Sequence, residues 1–188
     1  MVSIQVIYGT KEGQTEKIAT YIGNRLRAAG HEVTLSNVAS LPRNTSFTGV
    51  DGVLVGSSVH YGRHSRAMRR FVASNRETLL GLPTGFFQVC LASSRTDPES
   101  RAEAQSYLDE FVAGTGWQPD RITSFAGALA YTRYGFLKRL MMKRIARETT
   151  GDVDTARDYE YTDWNAVDEF ATDFATLVES NLADAPST

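Results

Sequence analysis

Along its length the chain alternates short β-branched and aromatic runs with stretches whose apolar positions return every three or four residues. Val2–Tyr8 has a strand pattern and leads into a glycine-containing turn. Glu16–Ala29 then carries Ile18, Tyr21, Ile22 and Leu26 at helical spacing, and Gly30 ends it. Glu32–Val38 predicts a second strand. Gly52–Val59 is almost continuously apolar, the pattern of a strand buried on both faces of a parallel sheet. His64–Leu80 predicts one helix with Ala67, Met68, Phe71, Val72 and Leu79 inward. Gly85–Ala92 predicts the fourth strand, Glu99–Gly114 the next helix and Arg121–Ala130 the fifth strand. Asp163–Leu182 closes the chain as a helix with Val167, Phe170, Phe174 and Leu177 toward the core, capped by Thr162 or Asp163, and 183–188 reads as a frayed end.

Five strand–helix units in this order imply an α/β fold: a doubly wound, five-stranded parallel sheet with helices on both faces. Thr132–Tyr161 falls outside the alternation and reads as an insertion between the fifth strand and the last helix. At 188 residues the whole chain, 1–188, fits one domain. Hydrophobic residues at 41% and charged residues at 22% are ordinary for a globular protein, and a net charge of −2 gives no electrostatic case for nucleic acid. Cys90 is the sole cysteine, so it has no internal disulfide partner and reads as a small core residue. Three histidines and this cysteine are scattered without metal-ligand spacing, so no metal is expected. No stretch approaches the roughly 20 apolar residues of a membrane span, and a cytoplasmic protein is the expectation.

The first turn carries the clearest candidate chemistry. Strand one runs into Thr10-Lys11-Glu12-Gly13-Gln14-Thr15, which opens the first helix. A helix N-terminus presents unpaired N–H groups and the positive end of its dipole, which suits a phosphate. Hydroxyls of Thr10 and Thr15 can donate to phosphate oxygens, and Gly13 lets the backbone approach. The pattern is neither the P-loop nor the dinucleotide-binding fingerprint, and an ordinary capped turn also produces it. Its place matters, because ligands of doubly wound sheets sit beyond the carboxyl ends of the strands at the switch point beside strand one.

Here the chain resembles the flavodoxin superfamily, whose first loop holds the 5′-phosphate of FMN. The resemblance implies strand order 2-1-3-4-5 and flavin contacts from the loops after strands three and four. In this sequence those loops are Ser57-Ser58-Val59-His60-Tyr61-Gly62 and Ala92-Ser93-Ser94-Arg95. Tyr61 is the candidate for stacking on the flavin, the alternative being a surface cap on its loop. Many flavodoxins bring a second aromatic from the fourth-strand loop, and Ala92–Arg95 supplies none. That favours full two-electron reduction over one-electron shuttling.

Further segments narrow the likeness. Ala126-Gly127-Ala128-Leu129 with Tyr131 and Arg133-Tyr134, then Gly151-Asp152-Val153-Asp154-Thr155, then Tyr161-Thr162-Asp163-Trp164, resemble the menaquinone-dependent protoporphyrinogen IX oxidase family of haem biosynthesis. That resemblance covers nearly the whole chain and implies an FMN enzyme that passes six electrons from protoporphyrinogen IX to a respiratory quinone. Within the insertion, Phe136–Arg147 laid on a helix puts Leu137, Leu140, Met141 and Ile145 on one face, with Lys138, Arg139, Lys143 and Arg147 off it, although Arg144 interrupts the apolar stripe. Such a helix can rest on an anionic membrane surface where a lipid quinone is found, or pack on its own domain. Arg63, His64, Arg66, Arg69 and Arg70 follow the flavin loop; most read as a solvated face, with Arg63 and Arg95 the preferred contacts for substrate carboxylates. His60 is a candidate to move a pyrrole proton, against the plainer reading of a loop histidine. Three other functions stay open: a flavodoxin electron carrier, an FMN-dependent NAD(P)H-quinone reductase, and a flavin-free interaction module.

Overall fold

The structure is a computed structural model that describes residues 1–42, 44–129, 147, 154 and 158–184. Its frame follows from strands that have no polar face to offer water. In β1 (Ser3–Gly9) the residues Ile4–Ile7 are buried, in β3 (Gly52–His60) the first seven, and in β5 (Thr84–Cys90) all seven. Strands of this kind need cover on both sides. They form the centre of a parallel sheet in the order β2-β1-β3-β5-β6, with β2 (Glu32–Asn37) and β6 (Arg121–Ala126) at its edges. Counting only these five long strands, the order is the 2-1-3-4-5 expected.

Alternation along each strand divides the core in two. Ile4, Val6, Leu54, Phe87 and Val89 meet α1 (Gln14–Ala28) and the last helix, α5 (Trp164–Asp184), through Ile18, Ile22, Val167, Phe174 and Val178. Ile7, Val53, Val55 and Phe86 meet α2 (Arg66–Ser74), α3 (Arg76–Leu80) and α4 (Pro98–Thr115) through Met68, Phe71, Leu79, Leu108 and Phe111. Phe86 stacks on Phe111 with ring centroids 4.4 Å apart. Gly56 must be glycine, since a Cβ there would lie 2.1 Å from Phe87 Cζ.

The segment read as one helix from His64 to Leu80 divides into three pieces. The chain turns back at Tyr61-Gly62, and β4 (Arg63–His64) pairs antiparallel with the end of β3. Ser65 then caps α2 by accepting from Met68 N–H. Asn75 separates α2 from α3, its side-chain amide donating to Phe71 O and its Oδ1 accepting from Thr45 N–H. Periodicity cannot see these caps, so it ran across them. Ala67 is consequently exposed rather than inward, and His64 is buried rather than part of a charged rim. In α5, Val178 takes the fully buried position and Leu177 packs half-buried beside it. Asp163 is the cap of that helix, accepting from Asn165 and Ala166 N–H.

The fifth strand ends at Ala126. Beyond it β7 (Ala128–Leu129) pairs antiparallel with β8 (Tyr159–Glu160), so a two-stranded ribbon joins the two ends of the inserted segment. The helix expected over Phe136–Arg147 lies outside the described residues apart from Arg147. Among the described residues no helix is long and apolar enough to cross a membrane.

His64 makes the acid stability of this fold predictable. Burial pushes its imidazole down from 6.5 to about 4, hydrogen bonding to Gln88 and Tyr107 opposes the shift, and nearby Arg69 adds to it. Between those pH values the unfolded chain holds the proton that the folded chain refuses. Stability is therefore full above the unfolded pKa and falls as the pH drops toward 4, by on the order of 3 kcal/mol. Urea denaturation of the native chain and of His64→Gln from about pH 7 to about pH 4 should show a shallower acid decline in the variant.

Candidate flavin site

The strand order reverses beside β1, and the crevice beyond its carboxyl end is where a doubly wound sheet takes a ligand. A cavity of about 280 Å³ opens there. Thr10, Glu12, Gln14 and Thr15 line it from the first loop, Ser58–Gly62 from the end of β3, and Ala92 from the turn after β5. These are the three loops expected from sequence.

The first loop has the geometry of an anion cradle. Gly13 caps α1 at φ 96°, a left-handed conformation that disfavours any side chain, and no side chain caps the helix. The leading N–H groups of the helix therefore face outward without intrahelical acceptors. Thr10 Oγ1 accepts from Gly13 N–H at 2.9 Å and holds the turn closed. Thr15 is 1% exposed and its Oγ1 has no hydrogen-bond partner. A buried hydroxyl without a partner costs stability, and here it lies on the wall of the cavity, where a bound oxyanion would satisfy it.

The second loop is held under strain. Tyr61 (φ 51°) and Gly62 (φ 72°) are the two central residues of the hairpin between β3 and β4. Two consecutive positive φ values suit this tight turn, but a tyrosine in that conformation costs on the order of 1–2 kcal/mol. The ring held there is 70% exposed at the cavity. An aromatic presented to solvent at such a cost points to a ligand rather than to packing.

Several expected residues lie elsewhere. Lys11, Gly13, Ser57, Ser93 and Ser94 lie in the loops without lining the cavity. Ser57 Oγ is hydrogen-bonded to His64 Nδ1 at 3.0 Å, Ser93 Oγ to Ser124 Oγ at 2.5 Å, and Ser94 Oγ donates to Leu91 O. Arg63 is exposed beside the Tyr61 turn and Arg95 is bound by Asp97 at 2.9 Å; neither lines the wall. Asp97 also caps α4, and the Ser100 N–H above all, with Arg95 adding, holds its carboxyl below the usual value. His60 is on the wall, its Nδ1 3.9 Å from Glu12.

The cavity also has walls that the loop pattern did not indicate: Val89, Cys90 and Leu91, then Gly127 and Ala128, and on α4 Glu103 and Tyr107. Cys90 is buried, as a core residue would be, yet its position is on the cavity wall. Tyr107 adds a second aromatic to the wall: the Ala92–Arg95 loop has no ring, but α4 brings one from another element.

The Tyr161-Thr162-Asp163-Trp164 segment fastens the first loop to the ribbon. Gln14 Nε2 donates to Thr162 Oγ1 at 2.8 Å, and Thr162 Oγ1 donates to Ala126 O. Glu160 accepts from Lys17 at 2.6 Å and from Trp164 Nε1 at 3.0 Å. Partial burial would raise the Glu160 carboxyl, but hydrogen bonds from Lys17, Gln14 and Trp164 outweigh it and hold it below its ordinary value.

A doubly wound sheet with an uncapped, hydroxyl-bearing helix start at its switch point, and a strained aromatic turn beside it, defines a flavodoxin-type domain. Residues 5–156 match the Flavodoxin domain family. A short-chain flavodoxin associated with a bacterial microcompartment has the same fold, with TM-score 0.57, 15% identity, and 95% of this chain and 99% of that one covered. Protoporphyrinogen IX dehydrogenase (quinone) of Escherichia coli (strain K12) is 33% identical over 93% of this chain and 95% of its own. The protein of the same name from Leishmania major is 33% identical over 92% of this chain and 74% of its own. The chain belongs to this flavodoxin-type family of quinone protoporphyrinogen IX dehydrogenases, which are oxidoreductases.

FMN is the cofactor of flavodoxin domains, and the residues present fit it: the buried Thr15 hydroxyl and the open N–H groups of α1 suit a monophosphate, and Tyr61 an aromatic ring. Thr15→Val keeps the shape and removes the hydroxyl. Fluorescence titration should show FMN affinity lowered by about tenfold, while the apo-protein melts no lower than the native one.

Proposed function

We propose that this chain oxidises protoporphyrinogen IX to protoporphyrin IX through bound FMN, with a membrane quinone as electron acceptor, in haem biosynthesis. The observation that carries this reading is the flavin-type cavity in a chain 33% identical, over nearly its full length, to enzymes of that name. The chemistry FMN supplies when bound is two-electron acceptance and release. The chain's part is placement. The Thr10–Thr15 loop holds the phosphate end through Thr15 and the open N–H groups of α1, and Ser58–Gly62 with Ala92 frame the ring, with Tyr61 against its face; Lys11, Gly13, Ser57, Ser93 and Ser94 belong to these loops behind the wall. A flat tetrapyrrole then lies over the open side of the crevice. Arg63, exposed at the hinge of the β3–β4 turn, meets a propionate there; Arg95 serves a second one on exchanging Asp97 for it. In this reading His60, on the cavity wall 3.9 Å from Glu12, is a group that takes up protons.

In this reading the protein works at the inner face of the membrane, with the apolar stripe of Phe136–Arg147 on an anionic surface and its lysines and arginines among the headgroups. Deletion of 136–147 should lower cosedimentation with anionic vesicles and leave FMN bound. Equal cosedimentation would return that segment to its own domain.

An anaerobic mixture of FMN-loaded protein, protoporphyrinogen IX and a soluble menaquinone analogue tests the reaction. Porphyrin fluorescence should rise in step with quinone. Arg63→Ala should raise KM by about tenfold and leave kcat within about twofold, the loss of one carboxylate contact made equally in ground and transition states. No quinone-dependent rise above autoxidation removes the proposal.

A further inference from the structure

Two groups on the cavity wall have no part in the reaction described so far. Glu103 and Tyr107 lie one turn apart on α4, on the face that meets the cavity. The Tyr107 phenol donates a short hydrogen bond to Glu103 Oε1. Its ring reaches up to the strained turn: a Cβ on Gly62 would stand 3.5 Å from Tyr107 Cε1 and 3.8 Å from its oxygen. Tyr107 is half-buried whereas Glu103 is exposed. The pair therefore spans from the inside of the cavity to solvent.

Other titratable groups face the same space. Cys90 on β5 and the buried His64 on β4 lie next to Tyr107, with Arg69 of α2 beside His64. Tyr61 stands at the turn, and Glu12 with His60 lines the cavity from the first loop and β3. Glu103 and Tyr107 stand out from these because the phenol is hydrogen-bonded directly to a carboxylate that is itself exposed to solvent, whereas Glu12 beside His60 is half-buried. Burial, and then Glu103, hold the Tyr107 phenol well above its ordinary value, so it is neutral at any working pH. A neutral phenol accepts a proton only as it gives up its own. With Glu103 as the receiver, that is a relay.

We infer that Tyr107 and Glu103 carry the pyrrole N–H proton of the substrate from the mouth of the cavity, beside the Tyr61–Gly62 turn, to water. The inference rests on the function proposed above. A dehydrogenation across a methylene bridge and its pyrrole nitrogen breaks one C–H and one N–H bond. The carbon-bound hydrogen leaves with two electrons for the flavin. The N–H proton bonds to the Tyr107 oxygen while the phenolic proton passes to Glu103, and the N–H electron pair enters the new π bond. Glu103 then releases its proton to water. The substrate is oxidised by two electrons, the flavin is reduced by two, and one proton reaches solvent.

Glu103→Gln and Tyr107→Phe, each loaded with FMN, separate this role from a structural one. The glutamine still accepts the phenol's hydrogen bond but takes no proton, and the phenylalanine keeps the ring. Both should lower kcat by about tenfold or more with KM within about twofold. FMN affinity, read by flavin fluorescence, and protoporphyrin IX affinity, read by quenching, should stay at the native level. In the native enzyme kcat should fall in D2O, with the curved proton inventory of two protons in flight. Variants with native kcat and pH profile, or whose only defect is weaker FMN binding, overturn the relay and leave the quinone-coupled reaction standing. A native protein that shows no quinone-dependent turnover overturns that reaction, and the relay with it.

Discussion

A strand covered on both faces has little room to present polar chemistry except at its ends. β1, β3 and β5 are buried in this way, their few polar side chains such as Gln88 being tied up within the core, and the sheet they centre excludes water from both sides. The groups that line the cavity accordingly gather at the carboxyl ends of the strands, in the loops there and on the faces of α1 and α4 beside them. The packing is close enough that Gly56 leaves Phe87 no room for even a methyl neighbour. So tight a floor fixes where β1 and β3 end, and with them the distance between the phosphate cradle and the tyrosine turn.

On that floor the loops are stabilised in different ways. The first loop keeps an unsatisfied hydroxyl and open N–H groups, which oppose folding of the apo-protein and favour an anion. The β3–β4 turn stores strain at Tyr61. Hydrogen bonds nearby offset the first of these costs: Gly13 to Thr10 in the loop, Gln14 to Thr162, and Lys17 to Glu160 at the end of the ribbon. The same ribbon carries the two ends of the inserted segment, so the first loop and the base of that segment share one hydrogen-bonded cluster.

Legibility differed from element to element for physical reasons. The five long strands and the phosphate loop could be read directly, because their signals are contained in a few consecutive residues. The helix expected over His64–Leu80 failed for the opposite reason: its apolar spacing continues through a hairpin, a serine cap and Asn75, which act by hydrogen bonds that periodicity does not register. Arg63 and Arg95 follow two of the cavity loops in sequence, but which way they face depends on the turn and on Asp97, and neither lines the wall. Tyr107 was invisible as a wall residue, since an i, i+4 pair on a helix does not reveal what lies opposite.

By itself the sequence determined the doubly wound sheet, the hydroxyl-bearing turn that opens the first helix and the family segments, since each is written in contiguous residues or in their order. Only the tertiary structure decided that Glu103 and Tyr107 share a cavity with Thr15, that His64 is buried, and that Gln14 grips Thr162 across 148 residues. Such contacts arise when separate elements dock. No local pattern specifies which faces meet, because that choice is made by the burial of the whole core at once.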